Sequence, residues 1–321
     1  MKSNRILATG ANGFVGHQLC EELVKLGFSV IAATRAKESL NIMGCEVINV
    51  PDIDSYTDWT AALSEVKTVI HLAARVHVMH DDAISPLDEF LKVNLHGTVN
   101  LAHQAANAGV RRFVYVSSIK VNGEYTKEGE PFTETCTPNP QDYYAISKLK
   151  AEQALLAIGE KTGMEVVIVR PPLIYGPGVK ANFLNLIKLV DKSLPLPLGD
   201  IHNSRSMVYV GNVVSALIAC ATHRKAANQI YLISDGEDIS TPQLIAKIST
   251  VLNSRNHTFY FPISLIYFAA TLFGKRAAIQ RLTQSLIIDS AKIRKELGWQ
   301  PPFTLIDGLK ITADWYKQNT N

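Results

Sequence analysis

The first half of the chain alternates short apolar runs with longer stretches of helical periodicity. The apolar runs predict strands, at Arg5–Ala8, Ser29–Ala33, Val47–Val50, Thr68–Leu72, Arg112–Val116 and Val166–Arg170. Helical patterns lie between them, chiefly at Gly13–Leu26, Pro86–Ala108 and Tyr143–Lys161. Apolar strands separated by helices are typical of a parallel sheet covered on both faces. With right-handed crossovers they predict a doubly wound α/β fold.

The alternation becomes irregular after Arg170, where prolines interrupt the pattern. A helix over Gly211–Thr222 and a strand over Gln229–Ile233 are still predicted. We therefore expect a larger α/β domain over residues 1–170 and a smaller, mixed substrate-binding lobe over residues 171–321. The boundary between them is soft, because the two parts are expected to interleave.

One segment, Phe259–Phe273, is strongly apolar. It is about 15 residues long and contains Pro262, whereas a helix that crosses a membrane needs about 20. We expect a buried helix, or one that lies against a pocket, rather than a membrane contact.

Composition excludes several classes of protein. The 321 residues can bury a sizeable core, and the net charge of +3 is too small to indicate a nucleic-acid surface. The N-terminal residues lack the apolar region and cleavage site of a signal peptide. The cysteines have neither CxxC nor metal-ligand spacing, at Cys20, Cys45, Cys136 and Cys220. We expect free thiols, no bound metal and a cytoplasmic location.

A glycine-rich turn follows the first strand and opens the first helix. It reads Gly10, Ala11, Asn12, Gly13, Phe14, Val15, Gly16. Glycine lets the backbone approach a pyrophosphate closely, and the helix N-terminus offers free N–H groups to that anion. Because the motif stands at the start of a strand–helix–strand pattern, it predicts a Rossmann dinucleotide-binding domain.

The end of the second predicted strand bears on the choice of nicotinamide cofactor. An acid there usually binds the ribose hydroxyls of NAD, but Thr34 and Arg35 stand there, and Ala32–Lys37 contains no carboxylate. A hydroxyl and a guanidinium suit a 2′-phosphate. This favours NADP over NAD. Alternatively, Arg35 is a surface residue and both cofactors are accepted.

Tyr144 and Lys148 are four residues apart and share one face of a predicted helix. We expect the Lys148 ammonium to lower the pKa of Tyr144, so that the phenol exchanges a proton with a substrate oxygen near neutral pH. Ser117 and Ser118 end the fifth predicted strand, where a hydroxyl can bond the same oxygen.

These motifs together resemble the extended short-chain dehydrogenase/reductase family, which includes nucleotide-sugar epimerases, dehydratases and 4-ketoreductases. The resemblance spans nearly the whole chain and rests on GANGFVG, His71–Ala74, YAISK and RPPLIYGPG. It implies catalysis by Ser118, Tyr144 and Lys148. The other cofactor contacts that it implies are Asp52, Ile53, Leu72, Ala73, Ala74, Asn94, Ser117, Pro171 and Leu173.

The catalytic role is given to Ser118, with Ser117 as the alternative. In the family the serine usually stands four residues before a tyrosine, which Asn122 replaces here. The resemblance also implies a nucleotide-sugar substrate. Its candidate contacts are Ser118, Lys120, Asn182, Arg205 and Arg281.

Three kinds of enzyme in this family share hydride transfer at sugar C4. Its dehydratases carry an Asp–Glu pair directly after the catalytic residue, where this chain has Ile119 and Lys120, so dehydration is disfavoured. Our main interpretation is NAD(P)H-dependent reduction of a UDP-4-keto-6-deoxy-N-acetylhexosamine for surface polysaccharide: Arg35 favours NADPH and hence a reductase, and the run SSIKVNGE resembles the 4-ketoreductases that act on such sugars. The alternatives are a UDP-sugar 4-epimerase that retains NAD and a non-catalytic NADP-binding sensor.

The resemblance further implies a homodimer. In the family, two long helices of each subunit form a four-helix bundle, and here these would be Pro86–Ala108 and Tyr143–Lys161. Their apolar positions could equally face the sheet.

Overall fold

A seven-stranded parallel sheet forms the centre of the computed structural model, which describes residues 4–35, 42–76, 85–272, 274 and 276–320. The chain has nine described strands: β1 Arg5–Thr9, β2 Ser29–Thr34, β3 Cys45–Asn49, β4 Thr68–His71, β5 Arg112–Val116, β6 Glu165–Arg170, β7 Leu173–Tyr175, β8 Met207–Tyr209 and β9 Gln229–Leu232. The order β3-β2-β1-β4-β5-β6-β9 confirms the predicted doubly wound Rossmann fold.

Helices cover both faces of this sheet. The described α-helices are α1 Phe14–Lys25, α2 Pro86–Leu91, α3 Thr98–Asn107, α4 Tyr143–Thr162, α5 Ala181–Asp191, α6 Val210–Thr222, α7 Thr241–Leu252, α8 Ile263–Leu272, α9 Arg276–Thr283, α10 Ala291–Leu297 and α11 Leu305–Thr320. Side chains of α1 and α6 share one buried cluster, and those of α3 and α4 share the other. Successive strand residues alternate between the two clusters, which explains why the strand sequences are apolar throughout.

The strand order reverses between β1 and β4, which are neighbours in the sheet. At such a point the connections leave toward opposite faces and open a crevice at the carboxyl ends of the strands. Thr9 and His71, the last residues of these two strands, are paired there and buried. The topology therefore places the crevice beside the glycine-rich turn.

The predicted helix over Pro86–Ala108 is interrupted by a π-helical segment, Lys92–Gly97, between α2 and α3. A Cβ atom on Gly97 would lie 2.7 Å from Ile53 Cγ2, so only glycine allows this close approach. Widened turns of this kind occur mostly as single turns and often at functional sites. Here the widened turn carries Asn94.

The residues after Arg170 contribute to two parts of the structure. Strand β9 joins the main sheet and α6 packs on it, whereas β7 and β8 form a separate two-stranded sheet. A third apolar cluster joins β7 and β8 to α5, α7 and α11. The limits 1–170 and 171–321 stay a prediction.

The expectation of a buried helix within Phe259–Phe273 is wrong for the described part of that segment, and Phe273 lies outside it. Helix α8 packs against α9, where a 2.6 Å hydrogen bond joins the Tyr267 and Thr283 hydroxyls. The described residues give its other side no such cover, and Phe268 and Leu272 are 65% and 68% exposed. None of the described helices combines the length and apolar character needed to cross a bilayer.

The Arg112 side chain joins the sheet to the end of α6, and we expect its removal to destabilise the protein. It is buried, pairs with Glu165 at 2.7 Å and donates to the carbonyls of Cys220, Ala221 and His223. Arg112→Met leaves these acceptors unpaired. The free energy of unfolding should fall by about 2–3 kcal/mol in urea titrations.

The matched control is Arg111→Met, since Arg111 is the exposed neighbour. It should change the free energy of unfolding by less than about 0.5 kcal/mol. Equal stabilities of the two variants would contradict the role given to Arg112.

Candidate active site

The glycine-rich turn forms a tight cradle at the N-terminus of α1. Gly10 has φ +68°, and a Cβ atom on Gly16 would overlap the Gly10 carbonyl oxygen at 2.1 Å. Helix α1 begins after Gly13, has no acidic residue in its first turn, and is capped by no side chain of the described residues. Its N–H groups are therefore available to an anion. Backbone space and partial charge both fit a pyrophosphate.

The next cofactor candidates lie around the ends of β2 and β3. Thr34 is buried and its carbonyl accepts from Val50 N at 2.8 Å, whereas Arg35 is exposed. Asp52 is exposed and Ile53 is buried beneath the π-helical segment. Lys37, the last residue of the Ala32–Lys37 stretch that contains no carboxylate, lies outside the described residues.

His71 is held neutral at the floor of the crevice. Its ring nitrogens lie 2.6 Å from Thr9 Oγ1 and 2.9 Å from Thr98 Oγ1. Complete burial lowers the pKa of His71 to about 3, with a further contribution from Lys148. The following candidates, Leu72, Ala73 and Ala74, are half-buried, and Ala73 N donates to Thr9 Oγ1.

Asn94 connects three parts of the site from the π-helical segment. Its side-chain amide donates to Ser147 Oγ at 2.9 Å and to the Arg75 carbonyl at 3.0 Å, and its oxygen accepts from Arg75 N. Ser147 in turn donates to the Tyr144 carbonyl. The buried amide thus fixes the first turn of α4 relative to the segment after β4.

The two serines after β5 have different surroundings. Ser118 Oγ is half-buried and accepts from Lys120 N at 3.3 Å, at the start of the 3-10 segment Ile119–Val121. Ser117 Oγ is buried and has no hydrogen-bond partner among the described residues. An orphaned buried hydroxyl calls for an explanation, and a bound cofactor or substrate would supply one.

Tyr144 and Lys148 lie one turn apart on α4, as predicted. The expected lowering of the Tyr144 pKa by Lys148 is wrong, because burial raises that pKa and the Asp142 carboxylate raises it further. Lys148 is 1% exposed, and its ammonium lies 4.1 Å from the centre of the Tyr115 ring. Burial lowers the pKa of Lys148 to about 7, against a smaller opposing effect of Glu152.

A buried ion pair lies one turn further along α4. Glu152 accepts two hydrogen bonds from Arg170, at 3.0 and 2.5 Å, and both side chains are nearly inaccessible. Arg170 also donates to Asn122 Oδ1 at 3.0 Å. Asn122, which stands where the family usually has tyrosine, therefore accepts the third side-chain hydrogen bond of Arg170. Sequence reasoning missed Glu152, although its position four residues after Lys148 was a usable signal.

Lys120 lies between two carboxylates rather than alone. Its ammonium lies 2.8 Å from Glu124 Oε1 and 2.6 Å from Asp142 Oδ2. The other Asp142 oxygen caps α4 by accepting from Ala145 N at 2.7 Å. Asp142 was also missed, although an aspartate just before a helical pattern is the usual start signal. The ion pair ties the Ser118 loop to the start of the helix that carries Tyr144.

Three substrate candidates remain. Arg205 and Arg281 lie close enough for their charges to interact, whereas Asn182 is on α5. Arg205 donates to the Gln284 carbonyl at 3.0 Å, and burial lowers its pKa. Glu124 opposes this effect, and the positive charge of nearby Arg281 adds to it. Two guanidinium groups that repel each other suit a polyanion. Asn182 is exposed at the start of α5.

The segment after β6 brings the last two cofactor candidates to the crevice. Pro171 is buried and its carbonyl accepts from Ile119 N at 2.9 Å, and Leu173 is 45% exposed at the start of β7. The described residues contain no group of three or more His, Cys, Asp or Glu side chains placed to hold a metal ion.

Comparisons with known proteins agree with this arrangement. The model of the NAD dependent epimerase/dehydratase family matches residues 6–234. A UDP-glucose 4-epimerase of Vibrio cholerae is 43% identical, over 98% of this chain and 96% of its own. A GDP-6-deoxy-D-mannose reductase of Pseudomonas aeruginosa is 28% identical, over 98% and 97%. The structure of MoeE5 in complex with UDP-glucose and NAD is 25% identical, with a TM-score of 0.77 over 99% and 100%.

The neutral state of His71 predicts a pH dependence of stability. Its folded pKa of about 3 lies below the ordinary value of about 6.5, so the unfolded chain binds the additional proton. The free energy of unfolding therefore falls as the pH falls below about 6.5. Between pH 7 and pH 5 this single group should cost about 2 kcal/mol.

Urea unfolding at both pH values measures this contribution. His71→Asn should reduce the pH dependence by about 2 kcal/mol, whatever its effect on stability at pH 7. The control His103→Asn removes an exposed histidine of α3 and should leave the pH dependence unchanged. An identical dependence in both variants would show that His71 is protonated in the folded state.

Proposed function

The chain belongs to the NAD dependent epimerase/dehydratase family, and on that premise we propose that it is a UDP-sugar 4-epimerase. One observation carries the proposal, the 43% identity over 98% of the chain to the UDP-glucose 4-epimerase of Vibrio cholerae. The retained Tyr144 and Lys148 support it, because inversion at carbon 4 requires a group that moves the proton of the C4 hydroxyl.

We propose NAD as the bound cofactor, which would accept a hydride from carbon 4 and return it to the opposite face. The cradle at Gly10–Gly16 suits its pyrophosphate, with the backbone N–H groups of Asn12, Phe14 and Val15, since the Gly13 N–H is donated to the Gly10 carbonyl at 2.8 Å. The resemblance assigns Asp52 and Ile53 to the adenine. Lys148 would hold a ribose hydroxyl, and Ser117, whose hydroxyl is otherwise orphaned, would face the nicotinamide side.

Tyr144 is the proposed proton carrier. Its phenolate would take the proton of the sugar C4 hydroxyl, and the resulting phenol would return that proton to the C4 oxygen after the 4-keto sugar has rotated in the site. Burial favours the protonated phenol, so the phenolate needs a nearby positive charge. Lys148 supplies that charge, and with a pKa of about 7 it is about half protonated at neutral pH. Ser118 would orient the C4 oxygen by a hydrogen bond.

Arg205 and Arg281 are the proposed contacts for the substrate diphosphate. Burial lowers the pKa of Arg205 and the positive charge of Arg281 lowers it further, and an anion between the two guanidinium groups would oppose both effects. Arg205 also lies close enough to Glu124 to feel its charge, and Glu124 pairs with Lys120. A row of charged groups therefore leads from Asp142 beside Tyr144 to the two arginines. Asn182, which is exposed at the start of α5, stays a prediction.

Lys120 is a poor candidate for the proton chemistry of a dehydratase. A dehydratase of this family needs an acid and a base directly after the catalytic hydroxyl. In this chain Ile119 is buried among apolar side chains, and Lys120 is paired with two carboxylates. This supports an epimerase or a reductase, both of which need only the proton carrier.

Reduction of a UDP-4-keto-6-deoxy-N-acetylhexosamine is the second candidate. One observation favours it: Arg35 is exposed directly after β2, where it could reach a 2′-phosphate of NADPH. The 28% identity to a GDP-6-deoxy-D-mannose reductase supports it at the level of the family. A reductase exchanges its cofactor in every cycle, whereas an epimerase retains it.

A homodimer and a cytoplasmic location are also proposed. Helix α4 lies beside α2 and α3, as a two-helix contribution to a bundle would require. The four cysteines are free thiols, in agreement with a reducing compartment.

Turnover and cofactor content together test the proposed activity. We expect the purified protein to release NAD on denaturation and to interconvert UDP-glucose and UDP-galactose, or their N-acetyl forms, without added cofactor. Tyr144→Phe should lower turnover by at least about a thousandfold, while cofactor affinity stays within a few-fold. Product formation is followed by chromatography.

Tyr143→Phe is the matched control, since Tyr143 precedes Tyr144 and is 50% exposed. It should retain normal turnover. Protein that contains no cofactor, binds NADPH more tightly than NADH and loses that preference in Arg35→Ser would replace the epimerase by the reductase. Substantial turnover in Tyr144→Phe would overturn the role of Tyr144 in both.

Lys120 should act on Tyr144 through Asp142 rather than by touching the sugar. In Lys120→Met the Asp142 charge is unopposed and raises the pKa of Tyr144. The acidic limb of the kcat/KM pH profile should therefore move to higher pH by about one unit. Adding Asp142→Asn, which preserves the helix cap, should restore the profile.

Lys150→Met is the control for charge alone, because Lys150 is exposed on the same helix. Its profile should match that of the unmodified protein. A rise in KM at every pH in Lys120→Met, without a shift of the limb, would instead make Lys120 a substrate contact.

A further inference from the structure

We infer that the exposed apolar surface around α8 docks on an anionic phospholipid surface. We call this surface the α8 face. It consists of six large apolar side chains that are between 38% and 76% exposed, namely Phe259, Tyr260, Phe261, Leu265, Phe268 and Leu272. This inference goes beyond the proposed sugar chemistry and does not depend on it.

The α8 face is continuous rather than scattered. Leu265, Phe268 and Leu272 follow the spacing i, i+3, i+7, which places them on one side of the helix. Phe259–Phe261 directly precede the helix, and the rings of Phe259 and Phe261 are in edge contact at 6.3 Å. Single exposed apolar side chains are ordinary, but a continuous patch of this kind indicates a binding surface.

The opposite side of α8 is already occupied. Tyr267 is hydrogen-bonded to Thr283 of α9, and Ala270 is 7% exposed. A helix that is apolar on all sides is normally buried. Here the described part of the chain covers one side and leaves the other exposed, so the exposed side is the one that needs a partner.

The charged residues near the α8 face indicate which partner it binds. Residues 239–288 contain no Asp or Glu, although the chain has 29 acidic residues. Arg255 is exposed four residues before Phe259, and its backbone binds Ser193, beside the exposed Lys192. The nearby Asp200 lies 3.4 Å from His202. Among the described residues, the exposed Arg255 and Lys192 thus lie beside the apolar patch, and positive charge beside apolar side chains matches the interface of a bilayer that contains anionic lipid.

A second copy of the chain is a less suitable partner. In a two-fold dimer the α8 faces of the two copies would meet. The basic side chains beside one face would then repel those beside the other. Anionic headgroups have the opposite charge, and their acyl boundary accepts aromatic and aliphatic side chains.

Vesicle sedimentation with the full chain tests the inference. We expect binding to vesicles of phosphatidylglycerol and phosphatidylcholine at low salt, weaker binding in 0.5 M salt, and little binding to pure phosphatidylcholine. Combined Phe268→Ser and Leu272→Ser should reduce the partition coefficient by at least about tenfold.

The matched control combines Met43→Ser and Tyr56→Ser, which removes two apolar side chains that are 88% and 91% exposed elsewhere. It should bind as the unmodified protein does. Circular dichroism and turnover of soluble sugar nucleotide should be normal in both double variants. In a second readout, brominated lipid should quench the fluorescence added by Phe268→Trp and leave that of Tyr56→Trp unchanged.

Three results would overturn the inference. The first is absence of vesicle binding at low salt, and the second is undiminished binding of the Phe268, Leu272 double variant. The third is a dimer in analytical ultracentrifugation that this double variant abolishes, which would make a second copy the partner of the α8 face.

Discussion

The buried ion pair between Glu152 and Arg170 is the interaction on which the site depends most. It joins the middle of α4 to the end of β6 by two hydrogen bonds in a region closed to solvent. Because neither charge can be hydrated, each must keep the other as its partner. This fixes the position of α4 on the sheet and therefore the depth at which Lys148 and Tyr144 enter the crevice.

Burial also sets the protonation state of the groups around that pair. It lowers the pKa of His71 to about 3 and that of Lys148 to about 7, and it raises that of Tyr144. A low-dielectric site thus holds a neutral histidine, a protonated phenol and an amine that gains or loses its proton near neutrality. Of these three groups, Lys148 is the one whose pKa lies near neutrality, and under the proposed function its positive charge would favour the phenolate of Tyr144.

The main sheet and the segment around α8 differ in how their apolar surface is covered. The main sheet is covered on both sides, since α1 and α6 lie on one face and α3 and α4 on the other. The segment around α8 is covered on one side only, although it is among the most apolar of the chain. The described residues therefore leave the outer side of α8 uncovered, and under our inference an external surface covers it.

The sequence by itself determined the sheet, its helices, the cofactor cradle and the Tyr144–Lys148 pair, because period and local spacing encode these features. It could not reveal that Lys120 pairs with Asp142 or that Arg170 pairs with Glu152, since such partners are set by packing between distant segments. For the same reason it mispredicted the Tyr144 pKa and the exposure of α8. Both depend on how much of each side chain the folded chain covers, which only the tertiary structure decides.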